Sequence, residues 1–500
     1  MLLLPNTMTK KSEGFFKLSL TSLAAMRIAT GLVILIDLIM RFQNLTEHYS
    51  DLGVMTRNEA TQYTSTNWFP FIQMLGGSSE FVFVYFILIA IFAILLICGY
   101  RTLITSVIVW LLMVGLQNRN PLLEYGGDQT LRLILFWGMF LPWGKRYSID
   151  SSKEKRGSKE KNDSSLASMA YIVQICCVYL FAGLSKSAPE WLHGDAVYNV
   201  LNYSQYTRPL GYWIGSFPFL TQLMTYSTLV IEFAAPIFLI NILGNRAKTL
   251  YIVLLCMLQI GFNSTLQLGL FGVISIVSLI GLLPENVWTR VPRKIIKMFR
   301  IFAKKSSKNT DIAPKVSFGS RFSVLIQNFL IICSIIYVIC INVGTVSAYK
   351  MVPKAIAPMA NLIRLDQNWL LFSQVPYKNY NGVYVGVVTK NDTAREYIRI
   401  DTAQIVSKDD IENFQSKATL NERWRKLIIR LSAEVNKQYR NGFVQYLCRT
   451  YKTTNHHNES TRINSIQIIF VVKDIKEGAS IDTSKYSLEK QLPLFFGYCE

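Results

Sequence analysis

The feature that most constrains this chain is a succession of apolar runs, several of them close to bilayer-crossing length. They fall at about 18–42, 80–98, 102–117, 128–143, 166–186, 220–243, 248–262, 265–283 and 322–346. A hydrocarbon core takes about 20 helical residues. The expectation is therefore a mainly α, polytopic membrane helix bundle of about nine spans, partnered by the lipid bilayer. With 51% hydrophobic and only 17% charged residues, the composition agrees.

The net charge of +20 suggests nucleic acid at first sight. The basic residues, however, sit in loops between apolar runs, and no Gly-rich phosphate loop is present, so no nucleic-acid partner is expected. Lys10, Lys11 and Lys17 precede the first run, KRYSIDSSKEKRGSKEKND follows the fourth, Arg246 and Lys248 follow the sixth, and Arg290 to Lys305 precede the ninth. With nine spans, all of these fall on one side. The positive-inside rule makes that side cytoplasmic, with the N-terminus inside and the C-terminus outside. The start MLLLPNTMTKK lacks the region order of a cleavable signal peptide. Met1 and Met8 are both candidate starts.

Residues 347–500 change character, dividing the chain into a membrane domain, 1–346, and an extracytoplasmic α+β domain, 347–500. GVYVGVV (382–388), EYIRI (396–400) and SIQIIFVV (465–472) read as strands. Glu422 to Tyr451 reads as one long amphipathic helix with Trp424, Leu427, Ile428, Leu431 and Val435 on a face. Of eight cysteines, six lie in apolar runs, where Cys acts as a small hydrophobe. Cys448 and Cys499 fall in the outward part and are candidates to pair in an oxidising space. No Cys/His spacing suggests a metal, and the adjacent His456 and His457 stand in a polar stretch.

Charges inside spans are costly and mark either helix-locking pairs or functional groups. Arg27, Asp37 and Arg41 lie in the first run, Asp128 and Arg132 open the fourth, and Glu232 stands alone in LVIEFAAPIF. Glu232 has no local partner and must find one on another helix or be protonated. The outer loop QNRNPLLEYGGDQTLR places Asn118, Arg119 and Asn120 before a Gly-Gly pair. Such backbone at membrane depth lines a cavity or makes an ordinary turn. Asp37, Arg27, Asp128 and Arg132 are expected to share one outward-opening cavity with Lys186. The run ending in YLFAGLSKSAPEWLHG puts Lys186 at a helix junction, with Ser187–Glu190 matching a capping box and Trp191 where an interfacial aromatic would anchor. Lys186 is then either a snorkelling cation or a desolvated base.

The chain resembles the HTTM family, the bacterial relatives of vitamin K-dependent gamma-carboxylase. AAMRIATGLVILIDLIMRF with YSDLGVMTR, RNPLLEYGGDQTLRLILFWGMFLPWGKRYSID, YLFAGLSKSAPEWLHGDAV, and LDQNWLLFSQVP with NGVYV carry the resemblance over roughly 15–390. It implies that Lys186 is the catalytic base, that Trp191, Asn118, Arg119, Asn120, Asp128 and Arg132 help hold reduced vitamin K or menaquinol, and that no metal is needed. It implies quinol- and oxygen-dependent carboxylation of glutamate in a secreted peptide or protein, at a bacterial inner membrane. One position departs: Lys145 stands in GKRYSID where the carboxylase has a functional histidine. A non-carboxylating maturation or export factor, and a quinone- or lipid-binding protein without catalysis, are the competing implications.

Overall fold

A computed structural model describes residues 14–64, 75–153, 162–203, 205–292, 318–347, 352, 363–373, 382–390, 394–412, 420–455, 463–473 and 486–499. The protein is mainly helical. Its long helices are α1 (Leu20–Phe42), α2 (Ser79–Cys98), α3 (Thr102–Arg119), α4 (Gly126–Gly138), α5 (Leu166–Leu184), α6 (Pro218–Leu239), α7 (Asn245–Thr265), α8 (Phe271–Ile280) and α9 (Phe318–Val346).

Among the described residues, seven helices are long and apolar enough to cross a membrane. The expected spans at 128–143 and 265–283 are the exceptions. Their helices α4 and α8 have 13 and 10 residues, or roughly 20 and 15 Å at 1.5 Å per residue. Pro142 ends the helical potential after α4, and before α8 the backbone is extended at Leu266 and left-handed at Gly269, φ +59°.

Both segments nevertheless run between the same two ends of the bundle. At one end, Leu18–Ser19 pairs with Asn162–Asp163, and Trp288 Nε1 donates to Ser22 at 2.7 Å. Here too Asp150 accepts from the Arg101 and Thr102 amides at 2.9 and 2.7 Å, capping α3. The opposite end carries the 118–128 loop, the segment 186–217 and a five-stranded sheet. The strands are β1 (Gly382–Lys390), β2 (Ala394–Ile398), β3 (Ile405–Val406), β4 (Ile463–Lys473) and β5 (Tyr486–Tyr498), in the order β3-β2-β1-β4-β5. Every pairing is antiparallel.

Two expectations for this region are corrected. The single helix over 422–451 is two, α10 (Glu422–Ser432) and α11 (Arg440–Thr454), joined by a 3-10 turn over Glu434–Tyr439. Ala433 is extended, and Asn436 Nδ2 donates to the Arg430 carbonyl at 3.0 Å, capturing an end-of-helix acceptor. β5 was not expected from a segment holding Pro493 and Gly497. It is an edge strand whose ladder shifts register where Phe495 and Pro493 face Ile468 and Ile469, a place that tolerates proline. A disulfide joins Cys448 on α11 to Cys499 just after β5, with Cα atoms 5.8 Å apart. His456 and His457 lie outside the described residues.

The sheet region is bound to the bundle through α10. Trp424 packs on His48 with ring centroids 4.7 Å apart, and Arg430 donates to the Pro121 carbonyl. One continuous core of buried side chains runs from α1–α5 through Trp369 to Trp424, Leu427 and Phe443.

Candidate functional site

Lys186 follows α5 directly. Ser185 closes that helix through its amide to the Phe181 carbonyl, and the Lys186 amide bonds Gly183. This turn sends the side chain back along the helix. Nζ donates to the Ala182 carbonyl at 3.0 Å and to both Glu232 oxygens at 3.0 and 2.7 Å. Glu232, midway along α6, thus finds its partner just past the end of α5, and the buried carboxylate is paired. Gly183 allows the approach: a Cβ there would sit 3.3 Å from the Glu232 Cβ.

Ser187 does not cap the next helix. That helix, Pro189–His193, begins after Ala188, whose side chain offers no cap, with Pro189 in its first turn. Nor is Trp191 an interfacial anchor. It is buried, its indole donates to the Phe372 carbonyl at 2.8 Å, and Lys186 Nζ lies 5.2 Å from its ring centre.

These groups form one wall of a cavity of about 710 Å³ between α5, α6, α7 and α8. Most of the lining is apolar, with Tyr179, Gln259 and Tyr206 adding polar atoms. Gln259 Nε2 reaches the Tyr179 hydroxyl at 3.5 Å, whereas its Oε1 is buried with no partner among the described residues. At the mouth, α10 contributes Glu422, Lys426 and Ile429. Glu422 pairs with Arg425, whose guanidinium stacks 4.0 Å from the Tyr206 ring centre. Burial pushes the Glu422 carboxyl up and the Lys426 amine down from their ordinary pKa values.

The other charged residues do not join this cavity, so the expected single site is corrected. Asp37, Arg41 and Asp128 form a closed four-charge cluster with Arg423 of α10. Its contacts are Arg41–Asp37 at 2.6 Å, Arg41–Asp128 at 2.5 Å, Arg423–Asp37 at 3.0 Å and Arg423–Asp128 at 2.8 Å. Burial alone would lower the Arg423 pKa; Asp128, Tyr49 and Asp37 outweigh it and hold it well above its usual value. Arg132 bonds the Arg364 carbonyl and Gln117 Oε1, both at 2.8 Å. Asn118 accepts from Arg364, Arg119 donates to the Met55 carbonyl at 3.0 Å, and Asn120 donates to the His48 carbonyl at 3.0 Å. The 118–128 loop is therefore a packing hub that joins the 44–57 segment and the 363–373 segment to the bundle. Arg27 lies at the opposite end, donating to the carbonyls of Leu96, Ile97, Trp143 and Tyr147. The Lys145 amide bonds Pro142 at that same end, away from Lys186.

Sequence reasoning missed Tyr206, Gln259, Phe372, Glu422 and Lys426. Gln259 carried a signal, being a polar side chain within an apolar run. The polar face of a helix that reads as solvated gave none for Glu422 and Lys426. Among the described residues, no group of three His, Cys, Asp or Glu could hold a metal ion.

No curated protein and no solved structure matches the chain. The HTTM domain matches residues 15–288, which contain both members of the Lys186–Glu232 pair and more than half of the 500 residues. On that match, the chain belongs to the HTTM family.

Proposed function

We propose that this protein is a membrane enzyme of the gamma-carboxylase type, with the Lys186 cavity holding the head of reduced vitamin K or menaquinol. The observation that carries the reading is a buried lysine–carboxylate pair, an indole and an unpartnered amide oxygen around one largely apolar space. A quinol fits these donors and acceptors. Its ring suits Trp191 and Tyr206, and its hydroxyls are the donors that Gln259 Oε1 and Glu232 can accept from. When bound, such a quinol supplies, with oxygen, the strong base for glutamyl γ-proton removal, after which carbon dioxide adds to the carbanion.

The chain's own residues then have separable tasks. Glu232 would be placed to accept a proton at a ligand hydroxyl, and Lys186 Nζ to hold negative charge at that position or to relay the proton. The apolar walls exclude water, which strengthens both interactions. The mouth under α10 admits a secreted peptide or protein, with Lys426 available to its carboxylates. The Arg27 end, flanked by basic loops, lies in the cytoplasm of a bacterial inner membrane, and the sheet lies outside. Reporter fusions at Ser158 and Lys390 should give opposite signals.

A second reading, a quinone- or lipid-binding protein or maturation factor without carboxylation, is favoured by one observation. Lys186 is ion-paired, and among the described residues the cavity lining includes no histidine in the place of the carboxylase's. The discriminating assay is quinol- and oxygen-dependent incorporation of labelled bicarbonate into a Glu-containing peptide by the purified protein. Incorporation supports the enzyme. Co-purified quinone without incorporation favours quinone binding without catalysis, and the absence of both discards the carboxylase and moves the maturation factor ahead.

A further inference from the structure

The cavity meets the lipid-facing surface on one side. On α7, Leu250, Val253, Met257 and Ile260 form an exposed apolar stripe, and on α6 so do Leu223, Val230, Phe233 and Ile237. Met257 belongs to that stripe, 55% exposed, and also lines the cavity. Gly261, one turn further out, lines the cavity as well, and a Cβ placed on it meets nothing within 4 Å.

Along their inner halves the two helices are closed against each other. There Phe238 and Tyr251 stack with centroids 4.6 Å apart and nearly parallel rings, and the Tyr251 hydroxyl bonds the Ile231 carbonyl. Further out, the short helix Pro209–Gly215 limits the gap, with Gly211 packed so tightly on the Thr265 carbonyl that a Cβ would lie 2.5 Å from it. Between these two closures, α6 offers Met224, Ser227 and Ile231 to the cavity, and α7 offers Met257 and Gly261.

We infer that the outer halves of α6 and α7 frame a doorway from the bilayer, and that this doorway holds the long apolar tail of a polyisoprenyl ligand whose head lies at Lys186 and Glu232. This rests on the quinone-binding part of the proposed function. An opening lined by Met, Ile and Gly suits a flexible hydrocarbon chain, because thioether and aliphatic surfaces adapt to it without polar cost. A polar backbone would not border such a gap, and here both borders are hydrogen-bonded helices. The occupant comes from the membrane because the gap opens where the lipid-facing stripe of α7 lies. The head is placed by the ion pair and the tail by the gap, so one molecule spans both.

The test uses the full chain in nanodiscs, loaded with labelled menaquinone-4, which carries a tail, or labelled menadione, which does not. Gly261→Trp fills the gap from a position with free space, and Gly261→Ala controls for loss of glycine. Both variants are first compared with wild type for thermal stability. The expected result is that Gly261→Trp slows menaquinone-4 loading tenfold or more, leaves menadione within twofold, and that Gly261→Ala behaves as wild type. Equal slowing of both compounds, or slowing of neither, overturns the doorway. A wild type that takes menadione but not menaquinone-4 also overturns it while sparing the quinone reading. A wild type that takes neither removes that reading and the doorway together.

Discussion

Replacing Lys186 with methionine tests whether the cavity is built on an ion pair. The substitution keeps most of the length of the side chain and removes the ammonium bonded to Glu232, whose carboxylate is buried. Stripping one partner from a buried pair costs about 3–5 kcal/mol, because the remaining charge is left uncompensated. Replacing both, as Lys186→Met with Glu232→Leu, removes the uncompensated charge, and such swaps are commonly neutral or better. The expected double-mutant coupling is therefore about 3 kcal/mol, several times the error of additivity for distant sites. The assay is a temperature ramp on purified protein in nanodiscs, following the fraction that remains monodisperse. Lys186→Arg separates stability from chemistry. It keeps a cation against Glu232 and should leave the transition nearly unchanged, yet a guanidinium does not deprotonate. If a proton moves at Nζ, labelled-bicarbonate incorporation should fall by roughly 10²–10⁴. Single variants as stable as wild type would refute the ion-pair account, and a fully active arginine variant would reduce Lys186 to a fixed positive charge.

Arg423→Met leaves Asp37 and Asp128 facing Arg41 alone, at a cost again of about 3–5 kcal/mol; amide exchange in α10 should rise before that in the bundle, and adding Asp37→Asn should reverse it. Reducing the Cys448–Cys499 bond frees a loop with a sequence separation of 51, and should lower the stability of the sheet region by about 4 kcal/mol on chain entropy; a denaturant midpoint unmoved by reductant would contradict this. Burial holds the pKa of His48 well below the usual value, with the nearby Arg423 and Arg41 adding to the shift. His48 is neutral when folded and protonated when unfolded below about pH 6.5, so stability should fall by about 1.4 kcal/mol per pH unit as pH drops under that value. His48→Asn should flatten the acid limb, and an unchanged limb would mean that another group sets it.

The bundle was legible because apolar length is a strong signal, and Lys186 because a helix end and a tryptophan bracket it. What escaped the sequence was partnership. Asp37 and Arg41 read as a local pair, and nothing in one chain segment announces that Arg423, nearly four hundred residues on, completes their charge balance. Glu232 read as having no local partner, and the lysine that answers it stands just past the end of α5. Charged residues in spans were rightly suspected of not facing lipid, but the suspicion did not separate structural clusters from a site. Arg27, Arg132 and Asp128 are each bonded to backbone or to opposite charge, leaving no capacity directed at the cavity. The break between α10 and α11 carries no proline or glycine, so periodicity ran straight through it.

The short helix α8 explains why the cavity exists and why the sheet region cannot be treated as an appendage to it. Had 265–283 been one full span, helix would fill the space that Leu266–Leu270 leaves open. Non-helical backbone at this depth must be satisfied by protein groups. Three parts of the chain supply them. The Gln267 amide bonds the Tyr206 carbonyl at 2.6 Å, the Leu270 amide takes the Tyr125 hydroxyl at 3.2 Å, and the Gln267 carbonyl takes Arg425 of α10 at 2.5 Å. Ending the chain after Asn381 would strip Arg425 from that carbonyl and Arg423 from two buried carboxylates at once. An unsatisfied buried group costs about 1–3 kcal/mol and an uncompensated charge more. The truncated protein should therefore fail to remain monodisperse or to retain a quinone. If it instead purified intact and took up menadione as wild type does, α10 would be a cover over the cavity and not one of its walls.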